Sequence, residues 1–342
     1  MKNMKLINEH LDKIKILSYE INHNITIMEI CGGHTNVIMK YGLRDLLPSN
    51  IKLISGPGCP VCVSSQYDID CMIELAKNKI PVATYGDMLK VPGSNDCLDD
   101  IRSQGGKIFE VYSATEVLKL KKNHQDIVFF GVGFETTAPM TAFLLKNNVT
   151  IYSVHKLVPP AIKILIEGDV NIDGFINPGH VSTIIGTNAY HDIKIPQVIA
   201  GFNAEQILRS IVFLLELIKE KKKIVVNAYV EAVNDTGNLV AQKLLSQQFK
   251  IVDSKWRGLG TLPLSGLEVR NDELNAKIKY EKILLNVKEP PKTACKCGEI
   301  LKGIIEPIDC SLYRNVCNPD NPQGACMVSE EGSCAISYRY GK

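Results

Sequence analysis

No stretch of this 342-residue chain is apolar for long enough to cross a bilayer. The longest run, Ile211 to Ile218, is broken by Glu216 and falls well short of the ~20 residues that a spanning helix needs. The N-terminus, Met1-Lys2-Asn3-Met4-Lys5, has neither the apolar core nor the small-residue cleavage site of a secretory signal. These absences argue against a membrane and for the cytoplasm. Charge of one sign is lacking too: 39 Lys and Arg face 37 Asp and Glu, for a net charge of +2. With no basic stripe interleaved with aromatics, nucleic acid is not an expected partner. The runs Lys121-Lys122 and Lys219 to Lys223 read as solvated helix ends. A Gly-Lys-Ser/Thr phosphate loop is missing, and Gly131-x-Gly133 stops short of a dinucleotide fingerprint. The chain is therefore not expected to hydrolyse nucleotides itself.

What the sequence has in excess is cysteine, eleven in all. Disulfide staples are rare in a reducing compartment, so these thiols read as metal ligands, redox groups or core filler. Three of them (Cys31, Cys59, Cys62) sit in glycine-rich turns, and six run from Cys295 to Cys334. Cys71 lies on a helical pattern and Cys97 in an Asn/Asp-rich loop, and both read as incidental.

Apolar residues at Leu6, Ile7, Leu11, Ile14, Leu17 and Ile21 predict an amphipathic opening helix. Short Ile/Val-rich runs come next at Ile25 to Ile30, Ile51 to Ser55, Pro81 to Tyr85, Ile127 to Val132, Gly174 to Ile176 and Val198 to Ala200, and they read as buried strands. Helical patterns lie between them at Ser65 to Lys79, Ala114 to Lys122, Pro160 to Glu167 and Ala204 to Glu220. This alternation predicts an α/β fold of two parallel-sheet lobes facing a cleft, followed by a small irregular C-terminal segment. The expected divisions are 1–114, 115–270 and 271–342. After about Asn271 periodicity fades, Glu289-Pro290-Pro291 breaks the chain, and the remaining residues need a metal to order them.

Five predicted strand ends carry glycine with polar or reactive residues: Cys31-Gly32-Gly33-His34, Gly56-Pro57-Gly58-Cys59, Gly133-Phe134-Glu135, Asn177-Pro178-Gly179-His180 and Gly201-Phe202-Asn203. In open parallel sheets the crevice beyond the strand C-termini is the usual ligand site. Cys59-Pro60-Val61-Cys62 has the spacing of a dithiol that closes a disulfide or chelates a metal. A helix starting near Ser65 would lower the pKa of these thiols, and one starting near His34 would do the same for Cys31. His34 and His180 are placed to move protons or donate hydrogen bonds, and capping or packing is the alternative role. Glu135 is expected to face the cleft, with Thr136 and Thr137 either capping a helix or taking part in catalysis.

In the last segment Cys295, Cys297, Cys310, Cys317, Cys326 and Cys334 lack the paired CxxC knuckles usual for structural zinc. Unequal spacings suit an iron–sulfur cluster better. The preferred ligands are Cys310, Cys317, Cys334 and one of Cys295 or Cys297, with Cys326 in reserve and the spare thiols free for redox work.

Taken together, Met28-Glu29-Ile30-Cys31-Gly32-Gly33-His34-Thr35, Gly56 to Cys62, Gly133-Phe134-Glu135-Thr136-Thr137-Ala138-Pro139, Asn177-Pro178-Gly179-His180-Val181 and Cys326 to Cys334 resemble the HypD family of [NiFe]-hydrogenase maturation scaffolds. The resemblance spans nearly the whole chain. It implies a protein that works with HypC and HypE to build an iron centre carrying two cyanides and one carbon monoxide, and that holds a [4Fe-4S] cluster in its C-terminal part. It implies that Cys31 holds the nascent iron together with a HypC cysteine, that Cys59 and Cys62 are the dithiol of the same cleft, and that HypE's thiocyanate tail donates cyanide. Glu135, His34 and His180 would then guide protons and ligands. Soft thiolates suit the low-spin iron(II) that cyanide and carbonyl demand. Two other readings are a cluster-linked thiol:disulfide oxidoreductase and a zinc-stabilised binding protein.

Overall fold

A computed structural model describes residues 2–341, with side chains from Met4 onward. Eleven strands form two sheets: β1 (Ile25–Glu29), β2 (Ile51–Ser55), β3 (Val82–Tyr85), β4 (Ile108–Val111), β5 (Val128–Gly133), β6 (Thr150–Lys156), β7 (Gly174–Pro178), β8 (Gln197–Ala200), β9 (Val225–Asn227), β10 (Phe249–Trp256) and β11 (Gly260–Val269). The first sheet has the order β2-β1-β7-β8-β9 and the second β10-β11-β6-β5-β3-β4. All pairs in the first are parallel. In the second, β4, β3, β5 and β6 run parallel while β11 and β10 add an antiparallel edge. The α/β expectation holds, and the antiparallel ribbon is an addition to it.

The sheets do not follow the expected division at residue 114. Strands β3 and β4 precede it and pair into the second sheet, whereas β7, β8 and β9 come after it and complete the first. Periodicity marks many of the local strands and helices, but long-range pairing decides which sheet a strand joins. Nor is the C-terminal segment an appendage. Its helix Ser333–Tyr340 packs on Gly32–Lys40, and Ala325–Val328 packs on Pro60–Val63.

Helix Ala204–Lys219 is capped at Asn203, whose side chain accepts from the Gln206 N–H. It buries Leu208, Ile211 and Leu215 and packs along the opening helix Lys2–Glu20. Each such side chain contributes roughly 1.5–3 kcal/mol on leaving water. Among the described residues no helix is long and apolar enough to cross a membrane.

Parallel pairing of β2, β1, β7 and β8 puts the chain segments that come after these strands along one edge of the sheet. The turns after β1 and β2 touch directly: the Gly32 N–H donates to the Gly58 carbonyl at 3.2 Å. A Cβ on Gly58 would stand 2.2 Å from the Cys31 nitrogen, so only glycine fits. Gly58→Ala must push these backbones apart, and a loss of about 1–3 kcal/mol is expected, as for an overpacked core. Urea unfolding of the variant beside the wild type measures it.

Candidate functional site

Cys31 is the N-cap of helix Gly32–Lys40. Its N–H donates to Glu29 Oε2 at 3.1 Å, and Thr35 Oγ1 donates to Glu29 Oε1 at 2.5 Å. Glu29 is fully enclosed, and burial raises it to about 7 against the pull of the Thr35 and Ser55 hydroxyls, the Cys31 amide and Arg44. Cys31 as a whole residue is half-buried. Burial, followed by the negative charges of Glu331 and Glu29, pushes its thiol up to about 12. The amides of His34 and Gly33 pull the other way and lose. The expectation of an activated thiolate at this helix start is thus reversed: desolvation outweighs the partial charge of a helix terminus. The thiolate needs a cation beside it, which a metal ion supplies.

Cys59 and Cys62 are buried and joined in a disulfide, with Cα atoms 5.2 Å apart. The Cys62 N–H donates to Cys59 Sγ at 3.1 Å. In this oxidised form neither sulfur is a thiolate ligand, so the expected trio of Cys31, Cys59 and Cys62 is not assembled as a metal site. Among the described residues no group of three His, Cys, Asp or Glu side chains stands close enough to hold a single metal ion, a tighter arrangement than a multi-iron cluster asks of its thiols.

His34 is buried, and neither ring nitrogen meets a hydrogen-bond partner. Burial brings it down to about 4, so its imidazole is neutral. Its ring lies 4.8 Å from that of Phe202, which stacks on exposed His180 at 3.8 Å. The loop holding Phe202 was legible as one of the five strand ends; the role of the ring as a partition between two histidines was not. Glu135 accepts from the Val158 N–H at 3.0 Å through Oε1, and its Oε2 is buried without a partner. It opens onto an apolar cavity of about 560 Å³ lined by Leu157, Ile185, Leu245 and Leu264. Two further residues were not among the expected site residues. Tyr190, bonded to Ser182 Oγ at 3.0 Å, is close enough to feel the charges of both Glu135 and Cys31. The chain at Glu331 presses on Gly32, where a Cβ would stand 2.5 Å from the Glu331 carbonyl oxygen.

The six late cysteines gather in one place. Cys297 and Cys326 are buried with sulfurs 2.6 Å apart. This contact lowers the Cys297 thiol and raises that of Cys326. Burial raises Cys295 to about 11, and the sulfurs of Cys297, Cys317 and Cys310 add to it. Cys334 is pushed well up by burial and then by Cys297, Cys295, Cys317 and Cys310. Cys317 is raised by burial and by Cys310 and Cys297. A set of buried thiols that disfavour one another's ionisation is the donor chemistry that an iron–sulfur cluster satisfies, so the residues fit that group. Of the two alternatives for the fourth ligand, Cys297 touches Cys326, the expected reserve, while the Cys295 thiol accepts from the Cys297 N–H.

One residue links the disulfide to this cluster of thiols. Arg257 donates through Nε to the Ser64 carbonyl at 2.8 Å and through Nη1 to Gln66 Oε1 at 2.9 Å, and its charge also lowers the Cys297 thiol. The next residue, Gly258, packs so close to Gly298 that a Cβ would meet its Cα at 2.2 Å.

Burial raises Glu135 from 4.5 to about 7. Between those values the folded chain holds a proton that the unfolded chain has released, so this group makes stability fall as pH rises through the window. Glu135→Gln is expected to remove about one proton from that slope, as read by urea unfolding of both proteins across the same pH range.

Residues 5–341 match the HypD family, described as "Hydrogenase formation hypA family". A putative hydrogenase expression/formation protein of Methanocaldococcus jannaschii is 40% identical, over 98% of this chain and 97% of the relative. The hydrogenase maturation factor HypD of Rhizobium leguminosarum bv. viciae is 39% identical over 99% and 96%, and that of Escherichia coli K12 is 39% identical over 98% and 95%. With matches of this extent, the chain belongs to the HypD family of hydrogenase maturation factors.

Proposed function

We propose that this protein is the scaffold and redox partner on which the Fe(CN)2CO centre of [NiFe]-hydrogenase is assembled, working in the cytoplasm with HypC-type and HypE-type proteins. The observation that carries the reading is the contact of the Cys31 turn with the turn that leads into Cys59. Cys31 holds the iron substrate together with a cysteine of the HypC-type partner. Binding releases the thiol proton, and buried carboxylates raised to about 7, Glu29 and Glu135, are suited to accept it. Neutral His34 and exposed His180, on either side of Phe202, guide ligands and protons. The cavity below Glu135 admits the tail of a HypE-type cyanide donor.

Cys295, Cys310, Cys317 and Cys334 would hold a [4Fe-4S] cluster, which supplies one-electron chemistry when bound. Cys297 and Cys326 would form a redox dithiol. Exchange between this dithiol and the Cys59–Cys62 disulfide conserves atoms and electrons: one S–S bond opens, the other closes, and both protons pass to Cys59 and Cys62. Packing of Ala325–Val328 on Pro60–Val63 and the Arg257 link support this pairing. A second reading, a cluster-linked thiol:disulfide oxidoreductase, is favoured by the same two adjacent cysteine pairs.

Protein purified anaerobically with its HypC-type partner is expected to show infrared bands of iron-bound cyanide and carbonyl, and Cys31→Ala to abolish them. Ligated iron on that variant would sink the scaffold role of Cys31, and reduction of a protein disulfide by the chain alone would favour the second reading. Iron and sulfide analysis separates the late thiols: Cys310→Ala is expected to lose most of both, whereas Cys326→Ser should retain them.

A further inference from the structure

A polar cavity of about 140 Å³ lies beside the second sheet, lined by Ser65, Asp68, Lys156, Ser254 and Lys277 among others. Lys156 ends β6 and is 1% exposed. Its Nζ donates to Ser254 Oγ at 2.6 Å and to the Lys255 carbonyl at 2.8 Å. An ammonium carries three N–H groups, so one is unspent, and Lys156 forms no ion pair among the described residues. The nearby carboxylates are engaged elsewhere. Asp68 accepts from the Tyr152 hydroxyl at 3.0 Å and from Ser65 Oγ at 2.7 Å. Glu268 accepts from Lys277 at 2.7 Å and from Asn275 at 3.0 Å. A buried cation without a counter-ion is costly, and burial draws Lys156 down to about 8 despite the pull of Asp68. The start of helix Gln66–Lys77, capped by Ser65, brings the positive end of its dipole to the same cavity.

We propose that this cavity binds a small monoanion of formate or bicarbonate size, held by the third N–H of Lys156 with Lys277 alongside. The carboxylates of Asp68 and Glu268 in the wall select against a second negative charge, so phosphate binds more weakly. Nothing in the assembly of the iron centre uses these residues, and the site stands independently of that reading.

Isothermal titration of the full chain with sodium formate is expected to show one saturable site, with inorganic phosphate weaker. Lys156→Met should weaken formate at least about tenfold, roughly 1.4 kcal/mol, with circular dichroism confirming that the variant is folded. At about pH 6, well below the Lys156 value of about 8 so that the ammonium stays charged, Asp68→Asn keeps the lysine and removes an opposing charge, so it should tighten formate. No saturable formate binding to the wild type, tighter phosphate than formate, or an Asp68→Asn variant that binds formate no better would each overturn the proposal.

Discussion

The site rests on β1 having β2 on one side and β7 on the other, all pointing the same way. Parallel neighbours finish at the same edge, so the residues just beyond them are forced together whatever chemistry they carry. Here that edge receives a cysteine from β1, a disulfide loop from β2 and a histidine from β7, with Phe202 arriving after β8. The glycines among them are spacers in a literal sense. Backbone approaches backbone across Gly58 and Cys31, leaving no room for a side chain.

Burial then sets the chemistry. Around the edge the acids Glu29 and Glu135 are lifted, His34 is depressed, and the Cys31 thiol is lifted furthest. Every one of these shifts favours the uncharged form, as expected where low-dielectric packing dominates over pairing. A cleft in this condition holds few fixed charges of its own. On the proposed reading, a metal would stabilise the thiolate there and the nearby acids would take the proton that leaves. The late cysteines obey the same rule, since burial and mutual repulsion keep most of them as thiols until a cation joins them.

Much of this was legible in the sequence, because strand ends with glycine and reactive side chains are local signals. The helices Gln66–Lys77 and Ala204–Lys219 and the strands β1, β2, β5 and β8 fall where apolar spacing puts them. Strand β6 escaped because Thr150, Ser153, His155 and Lys156 interrupt the apolar pattern, although all seven of its residues are buried. Strands β10 and β11 escaped because buried and exposed residues are mixed along their ribbon and it is short of continuous apolar runs. Tyr190 lies far from any motif, and no local signal links it to both Cys31 and Glu135. The depressed thiol expected of Cys31 failed for a different reason: a helix start is visible in sequence, whereas the depth at which it is buried is not. The contact between the Cys297 and Cys326 sulfurs is likewise a fact of three dimensions.

The route of the chain between the sheets bears on synthesis. The central register of the first sheet sets Ile27 against Gly174, so just over half of the 342 residues must emerge from the ribosome before β1 gains its second neighbour. During that interval the nascent edge, with Cys31, Cys59 and Cys62 already translated, lacks the helices that later cover it. The late sulfurs, from Cys295 on, emerge only after the last strand, which ends at Val269, so they fold onto a finished platform.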